Sequence, residues 1–287
     1  TGEPQWIRRM IDAHASTAAE TGARIVHACG FDSIPSDLGV RFTQSQAMES
    51  LGKHCHQIRM GVKSMKGGFS GGTVASMMNV LREGAGDPEV RKMLQNPYGI
   101  CPPEHRTGVR QPNVTQPAYD SQLKRWLAPF VMASINTRIV HRTHALAGHP
   151  YGSDFLYDES TVMSSYARAA MFSMGLAGFM GMLAVGPTRS LMKKFVLPAP
   201  GEGPSPKEQE AGFFDLRFFG RTEEGRTIET KVTGDRDPGY GSTAKMLGEA
   251  ATCLVQDVGD PSGGFPTPAS AFGDELINRL QQHAGLT

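Results

Sequence analysis

The stretch that decides the fold is ARIVHACGFDSIPS, residues 23–36. Its first seven residues predict a short buried strand, Gly30 opens a turn, and the loop that follows leads into a helix from about Ser36. A helix over residues 4–21, which ends before Gly22, precedes the strand. Helix, parallel strand, loop and helix in this order are typical of a doubly wound α/β sheet, whose ligands bind at the carboxyl ends of the strands.

Further along the chain, the pattern changes to alternating strands among helices. Residues 56–62 alternate as a strand with one buried face, and residues 95–120 are rich in Pro, Gly and Asn, which predicts a long irregular excursion. The remaining predicted elements are helices over 74–81, 126–147, 242–257 and 269–283, a short strand over 154–158, a linker over 198–206 and a β-hairpin over 213–232.

These elements predict an α/β and α+β fold. We expect a C-terminal remnant of a Rossmann-like parallel sheet and a second α+β domain with a mixed sheet. The predicted boundaries are 1–52 for the partial Rossmann-like segment, 53–240 for an α+β domain that faces the substrate or lipid, and 241–287 for C-terminal helices that pack back on the first segment.

Composition narrows the class of protein. The chain has 287 residues, 39% hydrophobic content and a net charge of +1, which favours a folded globular protein and gives no electrostatic footprint for nucleic acid. Four scattered cysteines without a C-x-x-C pair predict reduced thiols and a cytoplasmic location. The sequence begins at Thr1 rather than Met, and we expect that a portion of the protein precedes it.

The glycine-rich stretch KGGFSGGT, residues 66–73, contains the G-x-S-x-G spacing of a serine hydrolase, with Ser70 as the nucleophile. That motif requires a strand that runs directly into the serine turn, and several strands before it. Only one convincing parallel strand precedes it here. We favour a glycine-rich helix start capped by Thr73, whose exposed amides and partial positive charge suit an anionic ligand group.

Two further features have an ordinary interpretation beside a functional one. The histidine pairs His54/His56 and His141/His144 lack a carboxylate or cysteine at zinc spacing, and we predict no metal site. Tyr240 lies in a glycine-rich loop that is an ordinary turn and helix cap, or else holds a phenol able to donate a proton.

Residues 169–188 contain no charged residue and lie between Arg168 and Arg189. Three interpretations remain open: a buried core helix, an interfacial hairpin whose cations (Arg168, Arg189, Lys193 and Lys194) meet lipid head groups, or a membrane span. Each of them implies that a long apolar molecule is handled here. We therefore expect peripheral contact with the inner face of the plasma membrane through 169–188.

Several motifs together resemble the saccharopine-dehydrogenase-like oxidoreductases, the group that includes the mycobacterial trans-acting enoyl reductases. The most specific of them is CGFDSIPSDLG at 29–39. The resemblance extends over nearly the whole chain, through GGFSGGT at 67–73, PFVMA at 129–133, NTR at 136–138, DPGYG at 237–241 and TPA at 267–269.

The resemblance implies an N-terminal Rossmann domain that binds NAD or NADP, followed by an α+β domain. This chain has no G-x-G-x-x-G turn, so the cofactor is expected only where an N-terminal portion supplies that turn. Carried over residue by residue, the cofactor-facing positions are Cys29, Gly30, Phe31, Ser33, Gly71, Gly72 and Thr73. Tyr240 and Asp32 are the candidate catalytic residues.

The resulting hypothesis is an NAD(P)H-dependent reductase of an enoyl or imine bond in a lipid-like or other apolar substrate. The alternative is a non-catalytic module that binds lipid or membrane, and a serine hydrolase that uses Ser70 is third. We expect a homodimer and no nucleic-acid partner.

Overall fold

The computed structural model describes residues 2–68, 70–199, 201–259 and 262–287. Thr1 lies outside these ranges, and so does Phe69, a residue of the glycine-rich stretch. The side chain of Lys193 also lies outside the description. The described residues form one mixed sheet of six strands and ten α-helices. The strands are β1 Gln57–Lys66, β2 Ala118–Asp120, β3 Arg125–Pro129, β4 Leu156–Met163, β5 Phe213–Arg221 and β6 Thr227–Gly234. The helices are α1 Pro4–Thr21, α2 Ile34–Leu51, α3 Gly71–Gly86, α4 Pro88–Gln95, α5 Ala133–Leu146, α6 Tyr166–Ala184, α7 Gly186–Phe195, α8 Pro206–Glu210, α9 Gly241–Gln256 and α10 Pro268–His283.

The sheet has the order β2-β3-β4-β1-β5-β6. Only the central pair β1/β4 is parallel, and every other pair is antiparallel. Gly225, with φ of +83°, lies in the turn between β5 and β6, which confirms the predicted hairpin. The α/β and α+β class with a mixed sheet is therefore confirmed.

The hydrophobic core lies on one face of this sheet. Alternate residues of β1 and β5 point into it, so that Met60 lies opposite Phe218 and Val62 opposite Leu216. Helices α2 and α10 cover these side chains and pack against each other. Gly39 of α2 allows the close approach, because a Cβ atom there would lie within 3 Å of the Phe218 ring.

The opposite face of the sheet carries charged side chains. Arg59 of β1 forms ion pairs with Asp158 of β4 and with Asp120 of β2. Asp215 of β5 pairs with Lys63 at 3.2 Å. The alternation of the strands thus separates an apolar helix-covered face from a face of ion pairs.

Three predicted elements differ from the structure. Residues 23–29 form no strand of the sheet: the segment has a single parallel bridge, between Arg24 and Gly264. The helix predicted over 126–147 begins at Ala133, because residues 126–129 pair with Met163–Ser160 as part of β3. Strand β1 continues to Lys66, since its last residues pair with Phe213–Asp215 after a register shift, so the strand ends next to the glycine-rich stretch.

Helix α6 is exposed. It is the one helix among the described residues with the length and composition of a membrane span, and only 11% of its most apolar window is buried within the structure. The interpretation of 169–188 as a buried core helix is therefore wrong. Apolarity around the whole helix does not distinguish burial against protein from exposure, so the sequence alone left this choice open.

Candidate functional site

Three motif segments that are remote in sequence meet at one place, which we call the motif junction and define as residues 30–32, 66–68 with 70–73, and 237–243. The first contact joins the loop before α2 to the first turn of α9. The Phe31 amide donates to Thr243 Oγ1 at 3.0 Å. A Cβ atom on Gly30 would lie 2.9 Å from the Thr243 methyl group, so glycine is what allows this approach.

The second contact joins the end of β1 to the loop before α9. A Cβ atom on Gly67 would lie 2.6 Å from Cδ of Pro238, and one on Gly239 would lie 2.7 Å from the Gly68 carbonyl oxygen. Backbone therefore packs directly against backbone at this point. The glycines of KGGFSGGT and DPGYG are explained by this close packing.

Asp237 occupies the N-terminus of α9. Its buried carboxylate accepts the amides of Tyr240 at 3.1 Å and Gly241 at 2.8 Å. Residues 239–244, GYGSTA, match the G-x-G-x-x-A variant of the dinucleotide turn, which sequence reasoning missed. The structural context does not fit that use, since an internal carboxylate already lies where a pyrophosphate would bind.

The start of α3 is similarly occupied by the chain's own groups. The Gly71 amide donates to the Glu202 carbonyl oxygen at 2.8 Å, and the Thr73 amide donates to Ser70 Oγ at 3.1 Å. The cap is therefore Ser70 rather than Thr73, which corrects the predicted capping residue. Neither of these two amides is free for an anionic ligand, and an anion-binding role for Gly71, Gly72 and Thr73 stays a prediction.

Ser70 lacks the surroundings of a hydrolase nucleophile. It is buried, and its hydroxyl lies 2.9 Å from Thr73 Oγ1 in addition to its bond with the Thr73 amide. Among the described residues, no strand of the sheet precedes β1, so the several strands that a nucleophile elbow follows are not present before Ser70. The geometry supports a structural cap.

A cavity of about 1010 Å³ opens beside the junction. Tyr240, Gly68 and the linker after α7 line it, and its charged lining residues are Lys66, Glu202, Lys207 and Glu208. The Tyr240 hydroxyl donates to the Glu202 carbonyl oxygen at 3.1 Å, and its ring packs against Gly203. Tyr240 therefore reaches a cavity, and its hydroxyl is oriented by a backbone acceptor.

Cys29 and Asp32 lie on the other side of the junction, next to Gly30. The Cys29 thiol contacts the carbonyl oxygens of Val26 and His27, and burial raises its pKa to about 12, so the thiol is neutral at neutral pH. Burial also raises the pKa of the Asp32 carboxyl. A carboxyl of this kind holds a proton to higher pH than an exposed one.

The remaining two predicted cofactor residues of this loop lie in the core. The Phe31 ring packs on Phe214 with 5.0 Å between centroids, and the Ser33 hydroxyl donates to Asn136 Oδ1 at 2.9 Å. Both side chains are thus engaged by the chain itself. Whether any of the predicted site residues binds a cofactor or takes part in catalysis stays a prediction.

Ser33 belongs to a buried polar network that sequence reasoning missed. The Asn136 amide donates to Glu159 Oε2 at 2.9 Å, and Tyr157 Oη donates to Glu159 Oε1 at 2.8 Å. Ser36 also hydrogen-bonds Glu159. Burial raises the pKa of Glu159 to about 7. The sequence signal for this network was the adjacent pair Asp158 and Glu159 inside the strand of residues 156–163. Carboxylates are rarely buried in a strand unless each has a partner.

Three histidines of the predicted pairs pack among aromatic side chains: His141 and His144 both contact Phe155, and His54 and His144 both contact Tyr151. His141 is buried next to the Tyr98 ring, and burial lowers its pKa to about 3. His144 lies 2.8 Å from the Gly152 carbonyl oxygen and stacks on Tyr151. The described part of the chain contains no group of three or more His, Cys, Asp or Glu side chains that could hold a metal ion.

Several known proteins similar to this chain are named trans-acting enoyl reductases. A protein of Mycobacterium tuberculosis named "Putative trans-acting enoyl reductase" is 40% identical over 297 aligned residues, which cover 98% of this chain and 70% of the relative. Trans-acting enoyl reductases of Mycobacterium ulcerans and Mycobacterium bovis are 34% and 33% identical, each over 98% of this chain and 71% and 70% of their own lengths. No family model matches the chain. With this identity over nearly its whole length, the chain belongs to the trans-acting enoyl reductase family.

Proposed function

We propose that the protein reduces the C=C bond of an enoyl group in a lipid-like substrate, with NADPH or NADH as the source of hydride. The observation that carries the proposal is the 40% identity over 98% of the chain with a relative named for enoyl reduction. Membership of the wider saccharopine-dehydrogenase-like oxidoreductases stays a prediction, as does reduction of an imine in place of an enoyl bond.

The described residues do not by themselves fit a dinucleotide. Four amides at the starts of α3 and α9, those of Gly71, Thr73, Tyr240 and Gly241, already donate to groups of the chain itself. We therefore propose the nicotinamide as a co-substrate of the reaction and not as a ligand of these amides. The chain spans about 70% of the length of its relatives.

The proposed contribution of this chain is on the substrate side, in the cavity beside Tyr240. Reduction of an enoyl bond places negative charge on the carbonyl oxygen and needs a proton at the α-carbon. Lys66 and Lys207 line the cavity together with Glu202 and Glu208, and we propose that one of the two lysines neutralises the charge on the carbonyl oxygen. Tyr240 is the candidate proton donor, and Asp32, with its raised pKa, is the candidate proton holder on the far side of the junction.

The test is a comparison between this chain and the M. tuberculosis relative in one assay. Each protein is mixed with an α,β-unsaturated acyl thioester and NADPH or NADH, and the saturated product is measured by mass spectrometry. We expect saturated product from the relative, and from this chain once the segment of the relative that lies outside the alignment is joined to it. A relative that reduces the thioester beside such a fusion that does not, with either nicotinamide, contradicts the proposal.

Tyr240 is tested in the same assay. Tyr240→Phe removes the hydroxyl and keeps the ring against Gly203, so we expect kcat to fall about 100-fold with KM unchanged. Tyr166→Phe is the matched control, because that phenol is exposed at the start of α6, away from the cavity lining. Equal rates in the two variants would remove Tyr240 from the reaction.

A further inference from the structure

Helices α6 and α7, which we call the hairpin, are joined through Val185 and contact each other, and α6 has two distinct sides. Residues 169, 173, 176, 180 and 183, at alternating spacings of four and three, face the rest of the chain, and Ala169 and Leu183 among them are fully buried. Residues 168, 171, 175, 178 and 182 form the opposite stripe, and all of them are exposed. A helix in water normally carries polar residues on such a face, but four of these five are Met or Gly.

The exposed side continues onto α7. We define the outer apolar face by the exposed side chains of Met171, Met174, Met182, Leu191 and Phe195. Met174 is 73% exposed and Phe195 is 68% exposed. Contiguous exposed apolar side chains of this size mark an interaction surface.

The described charges around this face have one sign. Residues 160–201 contain no Asp or Glu, whereas Arg168 lies in the first turn of α6, Lys194 in the last turn of α7 and Arg189 between them in α7. Arg168 begins the exposed stripe of α6, and the Lys194 ammonium lies 5.2 Å from the centre of the Phe195 ring. An apolar face with cations at its ends complements a bilayer surface that presents anionic head groups above acyl chains.

The hairpin is also connected to the candidate site. Helix α6 packs against α3, which begins at the motif junction, and the linker that leaves α7 lines the cavity beside Tyr240. From this geometry we propose that the outer apolar face lies flat on an anionic membrane surface. The cavity then lies next to the hairpin's contact with the bilayer. This inference does not depend on the reductase activity.

The test is flotation of the whole chain with vesicles of phosphatidylcholine alone and of phosphatidylcholine with phosphatidylglycerol. We expect binding to the anionic vesicles that weakens as salt is raised, and little binding to the neutral ones. No flotation with anionic vesicles at low salt, or equal binding to both compositions, would contradict the proposal.

Three sets of substitutions locate the surface. Met174→Gln with Leu191→Gln and Phe195→Gln should weaken partition at least about tenfold, because these side chains no longer enter the acyl region. Arg168→Gln with Lys194→Gln should cost about fivefold per cation. The matched control is Leu247→Gln with Val255→Gln, two exposed apolar residues of α9, which should float as the parent chain does.

A second copy of the chain is the competing occupant, and sedimentation distinguishes it. If the parent chain is a dimer, the triple Gln variant is a monomer and neither floats, then another subunit covers the face and the membrane proposal is wrong. A control variant that loses as much flotation as the triple variant would likewise overturn the assignment to α6 and α7.

Discussion

The glycines of the motif junction and those of α6 have opposite surroundings. A Cβ atom on Gly67, Gly239 or Gly30 would lie less than 3 Å from a neighbouring atom, whereas one on Gly175 or Gly178 would meet nothing within 4 Å. At the junction, glycine is required because segments remote in sequence touch there. In α6, glycine gives up helix stability and gains no packing within the chain.

This difference separates two kinds of sequence feature that look alike. Both regions are glycine-rich and invite a ligand-binding interpretation. The junction is closed by contacts within the chain, while the hairpin leaves its outer apolar face to something outside it. The predictions below test each side of this comparison.

The largest effect is expected from alanine at Gly67, the residue that follows β1. Gly67→Ala would place a methyl group 2.6 Å from Cδ of Pro238 and 3.1 Å from Cβ of Asp237, and neither a proline ring nor a backbone-fixed Cβ moves easily. We expect a loss of about 2–3 kcal/mol in the free energy of unfolding, measured by chemical denaturation.

Gly68→Ala is the matched control for that substitution. Its methyl group would lie 3.6 Å from Pro204, an ordinary contact, so we expect a change within about 0.5 kcal/mol. Similar losses for both variants would show that general strain in this segment, and not the contact with Pro238, decides the cost.

The next effect concerns the carboxylate that closes the junction. Asp237→Ala leaves the partly buried amides of Tyr240 and Gly241 without their acceptor, and we expect a loss of about 2 kcal/mol in unfolding free energy. Asp235→Ala, which removes an exposed ion pair with Lys245, should cost at most about 0.5 kcal/mol. If Asp237→Ala instead created a phosphate site at α9, added phosphate would raise its stability and reopen the anion-binding interpretation.

Sequence reasoning recovered the elements whose signals are local. The helix 4–21 with its glycine end, the hairpin 213–232 and the two C-terminal helices all depend on neighbouring residues, and the structure confirms them. The strand predicted at 23–29 failed because its apolar run carries no information about partners: the segment bridges Gly264 at one residue only.

The candidate site was predicted only in part, because local sequence signals do not show which remote residues come into contact. The motif segments were found one by one, yet their convergence depends on contacts between residues more than 150 positions apart, such as Gly67 with Pro238. The Glu159 network was missed because burial, which raises its pKa, is a tertiary property. Exposure of α6 was left open, since an apolar helix has the same sequence whether protein or another surface covers it.

The pH dependence of the free energy of unfolding tests whether water is excluded from the buried polar network around Glu159. The pKa of Glu159 is raised from 4.5 to about 7, so the folded chain keeps a proton that the unfolded chain releases. This group therefore makes stability fall as pH rises from about 4.5 to about 7, by at most about 1.4 kcal/mol per pH unit. We expect Glu159→Gln to lack this contribution, so that the parent chain loses stability relative to the variant across that window.

Denaturation midpoints at several pH values measure the difference. Glu229→Gln, on the exposed strand β6, is the control and should keep the pH dependence of the parent chain. A difference between the parent and Glu159→Gln that does not change with pH would mean that water reaches the carboxylate.

The smallest effect is expected in α6, whose glycines have open space around them. Gly178→Ala adds a methyl group where nothing lies within 4 Å, so helix propensity alone should act and α6 should gain about 0.5–1 kcal/mol, read from hydrogen exchange of its amides. Gly248→Ala in α9 calibrates the gain, because that glycine is also exposed and also has open space around it. A gain at Gly248 together with a loss at Gly178 would mean that another molecule packs on the outer apolar face in solution, and that the α6 glycines, like those of the junction, are there for close approach.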